Sequence, residues 1–206
     1  MIFDPTEKPF SEIHKLMIGS IVPRPIALVS TTSKDGNNNV APFSYFNGVC
    51  SNPPTIMFAP ARRGWDGHEK DTLVNIRNNQ EFVINIVSES FAEKMVKCST
   101  DFDLNIDEFQ VSGLTPESSS KVSPPKVKES KINLECKLDQ IVEVGDGKAG
   151  SGFVVLGTIV LFHIDDDIYE DGYILLDKLE PLGRLAGNWY TRPTDNLKIT
   201  RQVKPK

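Results

Sequence analysis

Short apolar runs rich in β-branched residues alternate with turn residues in the first part of the chain. One such run, Ile26–Thr32, is followed by Asp35-Gly36, a pair typical of tight hairpin turns because glycine tolerates a positive φ. We therefore expect Ile26–Thr32 to pair as an antiparallel strand with the next apolar run, Asn39–Tyr45. The pattern thus predicts a sheet that begins with a hairpin.

The stretch N-V-A-P-F-S-Y-F-N-G-V-C-S-N-P-P-T-I-M-F, from Asn39 to Phe58, starts like a strand and then loses that pattern. Ser, Tyr, Phe, Asn and Gly follow one another before Pro53 and Pro54 close the interruption. Because proline cannot donate a hydrogen bond to a β-ladder, both prolines are expected just before a third strand at Thr55–Ala59. The middle of the stretch is predicted to be an irregular segment between two strands.

Two helices are predicted next, over 69–79 and 88–97, on either side of a buried strand over 82–87. In both segments the apolar residues recur at helical spacing. Asp71 or Thr72 can cap the start of the first helix, because short polar side chains accept hydrogen bonds from first-turn amides.

The second half of the chain is predicted to be mostly strand. Leu134–Leu138 alternates apolar and charged residues, Phe153–Ile164 is a long apolar run, and Tyr173–Leu176 is a short one. The polar segment 101–125 before them is expected to be a long excursion with at most a short helix near 105–109. Strands joined by tight turns, with helices inserted after the third and fourth strands, indicate a closed or nearly closed antiparallel barrel.

Composition and charge narrow the function without identifying it. The 206 residues are enough for one domain with a buried core, and 39% hydrophobic and 25% charged residues are ordinary for a globular protein. The net charge of −5 argues against general binding to nucleic acid or to anionic membranes, and still allows a local basic pocket. The longest apolar stretch, 153–164, is about half as long as a membrane-spanning helix, so no membrane role is predicted.

The cysteines and histidines are few and scattered. Cys50, Cys98 and Cys136 form neither a C-x-x-C pair nor an even set, so we expect no disulfide framework and a reducing, cytoplasmic location. Cys50 and Cys136 are expected to be small buried residues. The three histidines are equally dispersed, and no metal site is predicted.

The motif Gly145–Gly150 matches the G-x-G-x-x-G fingerprint of Rossmann nucleotide-binding domains. That fingerprint requires a helix directly after it, whose N-terminus receives the pyrophosphate. Here Ser151-Gly152 leads into the strand-like run F-V-V-L-G-T-I-V-L-F. The motif is therefore predicted to be a hairpin connection.

A set of motifs covers most of the chain, from about residue 20 to residue 190. Its members are P-R-P-I-A-L-V-S-T-T (Pro23–Thr32), N-V-A-P-F-S-Y-F (Asn39–Phe46), S-N-P-P-T-I-M-F (Ser51–Phe58), K-D-T-L-V-N-I (Lys70–Ile76), E-F-V-I-N-I (Glu81–Ile86), I-N-L-E-C-K-L (Ile132–Leu138) and L-G-R-L-A-G-N-W-Y (Leu182–Tyr190). In this order they resemble the flavin reductase-like, FMN-binding split-barrel family. That family includes flavoredoxins and the reductase components of two-component monooxygenases.

The resemblance implies a mainly β fold, a six-stranded antiparallel split β-barrel with inserted helices. The core would cover about 20–190 of a single domain spanning 1–206, with N- and C-terminal extensions. The resemblance further implies a homodimer, with FMN lying near the subunit interface.

The resemblance also implies a role for the interrupted stretch. In the family, the segment equivalent to Pro42–Asn47 runs along the flavin ring, which makes Ser44, Tyr45, Phe46 and Asn47 candidate cofactor contacts. A ring with an apolar face and a hydrogen-bonding rim fits aromatic side chains beside donors and acceptors. Without the resemblance, Tyr45 and Phe46 would be interpreted as ordinary core residues.

The start of the first predicted helix is a candidate site for the FMN phosphate. A phosphate dianion prefers free amides at a helix N-terminus and nearby cations. We expect the Thr72 hydroxyl and the first-turn amides to hold its oxygens, with Arg62 or Lys70 supplying charge and Asp71 acting as a cap that points away. The alternatives are that Arg62 and Arg63 form a solvated pair and that Thr72 is only a cap.

Two further positions keep open interpretations. Trp189 and Tyr190 follow a turn containing glycine, and either lie beside the flavin or anchor a dimer. Arg24 stands between two prolines, where both a structural role and a contact with the cofactor are consistent with the sequence.

The expected activity is oxidation of NAD(P)H by bound flavin. Reduced nicotinamide would pass hydride to the flavin, a transfer that requires no side-chain acid or base, so no catalytic residue is predicted. The alternatives are a flavoredoxin-like carrier that keeps its FMN and exchanges electrons with another protein, and a split-barrel binding module without redox turnover. A partner oxygenase is expected if the protein is an NAD(P)H oxidoreductase, and an electron-transfer protein is expected as the partner if it is a carrier.

Overall fold

The computed structural model describes residues 1–100, 102 and 106–200. These residues contain five α-helices and thirteen strands. The helices are α1 (Phe10–Ser20), α2 (Asp71–Asn79), α3 (Ala92–Lys97), α4 (Glu108–Ser112) and α5 (Leu176–Leu179). The strands are β1 (Ala27–Thr32), β2 (Asn38–Phe43), β3 (Phe46–Ser51), β4 (Pro54–Phe58), β5 (Glu81–Ile86), β6 (Pro116–Glu117), β7 (Lys126–Val127), β8 (Ile132–Val144), β9 (Gly152–Ile164), β10 (Tyr169–Glu170), β11 (Tyr173–Ile174), β12 (Gly183–Arg184) and β13 (Tyr190–Thr191).

Seven of the strands form one antiparallel sheet in the order β2-β1-β5-β8-β9-β4-β3. The edge strands β2 and β3 are consecutive in the chain and are joined only by Ser44 and Tyr45. From Phe43 to Phe46 the backbone can span at most about 11 Å. The sheet must therefore curl until its two edges meet at this connection, and the predicted antiparallel split barrel with inserted helices is confirmed.

Strand β1 is buried on both faces, because it separates two apolar clusters. Val29 points into the barrel, where Phe58 and Phe82 pack with their ring centroids 5.6 Å apart. Leu28 points the other way, into a cluster that includes Phe109 of α4. Alternate residues of a strand face opposite sides, so both sets of β1 side chains are buried. The buried set includes Ser30 and Thr31, whose hydroxyls donate to the carbonyl of Pro125 and to Oδ1 of Asn39. The predicted pairing of the first hairpin is confirmed, with Ala27 opposite Phe43.

The prediction of an irregular segment after β2 was wrong. Phe46–Ser51 forms strand β3, which pairs with β4 at the open edge of the sheet. Every residue of β3 after Phe46 is exposed, so the strand lacks the apolar alternation by which a strand is recognised. The main sheet therefore has seven strands rather than six, and the helices follow its fourth and fifth strands. Pro54, expected before the third predicted strand, is the first residue of β4, a position where the missing N–H is tolerated.

The helices also begin differently from the prediction. Asp71 is the first residue of α2, and the residue at the N-cap, Lys70, makes no side-chain cap hydrogen bond, so the predicted capping by Asp71 or Thr72 was wrong. The second predicted helix is divided into a 3₁₀ turn, Glu89–Phe91, and α3. The short helix predicted near 105–109 corresponds to α4, and Asn105 lies outside the described residues.

Gly145–Gly150 connects β8 and β9, which pair along their length, so the predicted hairpin connection is confirmed. Strand β8 also binds the polar segment that contains Ser120 and Lys121, through Glu135, whose side chain is fully buried. The Glu135 carboxylate accepts hydrogen bonds from the amides of Ser120 (2.7 Å) and Lys121 (2.6 Å) and lies 2.6 Å from Nε2 of His163. Burial opposes its ionisation, but these hydrogen bonds outweigh burial and lower the pKa of Glu135.

The three cysteines are free thiols in different surroundings. Cys98 and Cys136 are buried, and burial raises the pKa of Cys98 to about 11 and that of Cys136 further. Cys50 was expected to be buried but is exposed on β3, where its thiol donates to the carbonyl of Pro53 at 3.1 Å. In the described part of the chain no helix is both long and apolar enough to cross a membrane.

Gly157 of β9 allows the ring of Phe82 to fill the barrel interior. A Cβ at this position would lie 2.9 Å from Cε1 of Phe82 and closer still to Cζ. We expect Gly157→Ala to lower the free energy of unfolding by about 1–3 kcal/mol, because the fully buried Phe82 must move. Urea denaturation measures the change.

Gly48→Ala is the matched control, since Gly48 is also a strand glycine and a Cβ there meets no atom within 4 Å. Equal stabilities of the two variants would contradict this account of the barrel interior.

Candidate functional site

Two cavities lie end to end along strand β2. The first, which we call the α1 cavity, has a volume of about 240 Å³. Its lining residues come from α1, β2, β12 and the segments that connect the strands and helices: His14, Ile18, Arg24, Pro42, Phe43, Ser44, Tyr45, Ala59, Ala61, Lys70, Arg184 and Leu185. The second, the α2 cavity, of about 70 Å³, is lined by Asn39, Ala41, Pro42, Phe43, Arg63, Lys70, Asp71, Thr72, Cys98, Ser99, Thr100, Phe102 and Glu108.

Because Pro42, Phe43 and Lys70 line both cavities, the two form one groove. From Asn39 to Ser44 this groove follows about 16 Å of extended chain. The groove therefore offers space for an elongated ligand, with one end at Ser44 and the other at the start of α2.

Arg24 forms the most buried polar wall of the α1 cavity, with 5% of its surface exposed. Its guanidinium donates to the carbonyls of Ile18 (2.9 Å) and Ile21 (2.5 Å) at the end of α1, to the carbonyl of Leu185 (3.2 Å) and to Oγ of Ser44 (3.3 Å). Carbonyls at a helix C-terminus carry partial negative charge, which favours a cation there. Arg24 thus ties α1 and the β12–β13 turn to the β2–β3 connection.

Burial lowers the pKa of Arg24, and the positive charge of Arg184 lowers it further, while the interaction with Tyr45 opposes both. An arginine nevertheless stays protonated in proteins. The α1 cavity therefore contains a permanent positive charge with little access to water.

Tyr45, which also lines the α1 cavity, has a hydroxyl without a hydrogen-bond partner among the described residues. Its carbonyl accepts from the amide of Ala59 at 2.7 Å, and its ring lies 5.8 Å from the guanidinium carbon of Arg24. The hydroxyl itself is buried. Since an unsatisfied buried polar group is costly, a bound ligand is a natural source of its partner.

The other end of the groove combines cations with the first turn of α2. Arg63 and Lys70 line the α2 cavity, and Arg63 donates to Oδ1 of Asp71 at 2.9 Å. The buried hydroxyl of Thr72 donates to Oδ1 of Asn39 at 2.8 Å. The hydroxyl hydrogen of Thr72 is thus already engaged, and the amide of Leu73 donates to the carbonyl of Lys70 at 2.9 Å, so the amides of Asp71 and Thr72 are the first-turn donors considered for an anion.

Arg62 lies elsewhere, although it is adjacent to Arg63 in sequence. Its guanidinium donates to Oε1 of Glu143 at 2.6 Å and stacks 4.8 Å from the ring centroid of Phe153. Arg62 lines neither cavity. The direction of each arginine is decided by partners on β8 and α2, which the local sequence does not reveal.

Three other predicted site residues also lie outside the two cavities. Phe46 is half-buried and packs against the barrel core, whereas Asn47 is exposed and its Oδ1 accepts from the amide of Gly48 at 2.8 Å. The side chain of Trp189 is exposed in the β12–β13 turn, where its carbonyl accepts from the amide of Leu185 at 3.0 Å.

Sequence reasoning missed the contribution of α1, which brings His14 and Ile18 to the cavity. A signal was present, because Phe10, Ile13 and Met17 recur at i, i+3 and i+7, the spacing of one helical face.

The chemistry of these residues fits FMN. The groove is elongated, an unpaired hydroxyl and a buried cation stand at one end, and two cations with a helix N-terminus stand at the other. Two carboxylates line that second end as well: Asp71 accepts from Arg63, and Glu108 accepts from the amide of Val40 at 2.7 Å. Within the described ranges no group of three His, Cys, Asp or Glu side chains could hold a metal ion.

Comparison with known proteins shows which proteins this chain is similar to in sequence and fold. Residues 18–182 match the family model described as flavin reductase like domain. The chain is 34% identical to nitrilotriacetate monooxygenase component B from Bacillus cereus, with a TM-score of 0.92 over 97% of this chain and 98% of that one. It is 31% identical to 2-nitrobenzoate 2-nitroreductase from Pseudomonas fluorescens (TM-score 0.87, over 98% and 97% of the two chains) and 25% identical to flavoredoxin of Desulfovibrio vulgaris (TM-score 0.72, over 87% and 91%).

Proposed function

The chain belongs to the flavin reductase-like domain family, and from that premise we propose that it is an FMN-binding oxidoreductase that transfers hydride from NAD(P)H to flavin. The observation that carries the proposal is the groove along β2, whose α1 cavity is lined by three cationic side chains and, among the described residues, by no carboxylate. Such a site favours an electron-rich ligand over a neutral or cationic one.

In this proposal the flavin ring lies in the α1 cavity beside Ser44 and Tyr45, and the phosphate lies at the start of α2. Arg63 and Lys70 supply positive charge there, and the first-turn amides donate hydrogen bonds. Asp71 also lines this cavity, and its pairing with Arg63 offsets part of the negative charge that the carboxylate would place beside the phosphate. Bound FMN would supply the redox chemistry, accepting hydride from reduced nicotinamide.

The side chains around the α1 cavity have positioning and electrostatic roles. Arg24 holds Ser44 at the connection between the edge strands, and the Tyr45 hydroxyl offers a donor or an acceptor to the flavin rim. Neither residue has to move a proton, so the proposed reaction needs no acid–base pair.

A partner oxygenase is the first candidate for consuming the reduced flavin. The similar Bacillus cereus protein is one component of a monooxygenase, which supports this extension. A flavoredoxin-like carrier that keeps its FMN is the alternative, supported by the likeness to the Desulfovibrio vulgaris protein.

Visible spectroscopy tests the proposed activity. The full-length protein with added FMN is mixed anaerobically with NADH, and separately with NADPH, while the flavin absorbance is followed. Rapid bleaching of the flavin is expected with at least one of the two. Bound flavin that bleaches only with dithionite indicates the carrier, and a protein that binds no flavin rejects both.

FMN titration of three alanine variants tests the tail site. Arg63→Ala is expected to weaken FMN binding about tenfold or more, because it removes a charge-assisted hydrogen bond. Arg62→Ala is expected to have a smaller effect, since Arg62 pairs with Glu143, and Thr72→Ala probes the hydroxyl shared with Asn39. Wild-type affinity in all three variants would reject the phosphate position at α2.

We also propose that the chain forms a homodimer through the open edge of the barrel. The exposed strand β3 offers unpaired backbone groups, and Val49 on it is 53% exposed. Trp189, with 74% of its surface exposed, is a further apolar contact available to a second copy. Analytical ultracentrifugation should give twice the 22.9 kDa of one chain, and a monomer at micromolar concentration would reject the proposal.

A further inference from the structure

The arginines of this chain divide into two groups by their partners. Among the described residues, four arginines contact a carboxylate: Arg62 with Glu143, Arg63 with Asp71, Arg77 with Glu69 and Arg192 with Glu89. Arg24 and Arg184, the remaining arginines in the described part of the chain, have no carboxylate partner there and donate only to carbonyls and one hydroxyl. Both of these line the α1 cavity.

The two cavity arginines keep their charge uncompensated in different ways. The guanidinium of Arg24 is bonded to three carbonyls and one hydroxyl. That of Arg184 donates to the carbonyl of Trp189 at 3.3 Å and lies 4.5 Å from the ring centroid of Tyr190. A cation shielded from water without a counter-ion is costly, and the cost falls when an anion arrives.

Flavin reduction produces such an anion. A hydride carries two electrons and one proton, so its transfer from NAD(P)H to FMN leaves NAD(P)⁺ and adds one negative charge to the flavin. Positive charges fixed before the reaction stabilise that new charge most where water is excluded.

Resting on the proposed function, we propose that Arg24 and Arg184 make the α1 cavity bind reduced FMN more tightly than oxidised FMN. Arg24 contributes more, because it is 5% exposed and cannot be screened by solvent to the same extent as Arg184. A protein with this preference retains reduced flavin until an acceptor arrives.

The charge of Arg24 has to be separated from its role in holding α1 and Leu185. Arg24→Lys keeps the positive charge but loses most of the hydrogen bonds, whereas Arg24→Gln loses the charge. Loss of structure weakens binding of both flavin forms together, so it leaves the ratio of the two dissociation constants unchanged. Loss of charge changes that ratio.

The experiment measures dissociation constants for FMN and for dithionite-reduced FMN under anaerobic conditions. Wild-type protein is expected to bind the reduced form more tightly. In Arg24→Gln the ratio of the oxidised to the reduced dissociation constant should fall about tenfold, the size expected for one shielded charge. Arg24→Lys should retain most of the wild-type ratio.

Arg192→Gln is the matched control, because Arg192 is an exposed arginine paired with Glu89 away from the groove, and its ratio should equal that of wild type. Should Arg24→Gln fail to fold, Arg184→Gln provides the second test, with a smaller fall in the same direction. An unchanged ratio in the folded cavity variants overturns this inference while leaving FMN binding intact. Absence of FMN binding by wild type overturns the proposed function itself.

Discussion

The structure depends on the two-residue connection between the edge strands of its main sheet. Because only Ser44 and Tyr45 separate β2 from β3, the first and last strands of a seven-stranded sheet are held at one point. That constraint curls the sheet and encloses the aromatic core around Phe58 and Phe82. The barrel is split between β2 and β3, because these two edge strands do not pair with each other. The same connection is the wall of the α1 cavity, so barrel closure and cavity formation have one origin.

The residues that hold the groove together also belong to the framework of the fold. Arg24 joins three separate chain segments through its guanidinium. Thr72 and Asn39 join α2 to β2 in a buried pair of polar side chains, and Asn75 extends it by donating to Thr31 at 3.1 Å. Buried polar networks of this kind fix geometry because each lost partner leaves an unsatisfied group. The hydrogen bonds that position Arg24 and Thr72 in the groove are therefore the same ones that join the elements of the fold.

The sequence was sufficient to predict the barrel, but it did not predict the edge strand β3 or the directions in which Arg62 and Arg63 point. The first hairpin was predictable, since Asp35-Gly36 is a local signal, and the long strand β9 was predictable because apolar residues dominate it. Strand β3 was not, because its residues after Phe46 face solvent and carry no apolar alternation. Arg62 and Arg63 could not be told apart, because Glu143 decides the direction of one and Asp71 that of the other. Tyr45 was predicted as a possible contact, but the missing partner of its hydroxyl is visible only in three dimensions.

One of the three cysteines is exposed and two are buried, which gives this chain a natural site for thiol labelling. Cys98 and Cys136 are shielded, and their raised pKa values leave little thiolate at neutral pH, whereas Cys50 stands exposed on β3. A thiol-reactive fluorophore can therefore be attached to a single position of the natural sequence without engineered cysteines. Because that position lies on β3, the strand proposed as the dimer edge, the accessibility of the Cys50 thiol would report on whether a second copy covers this edge.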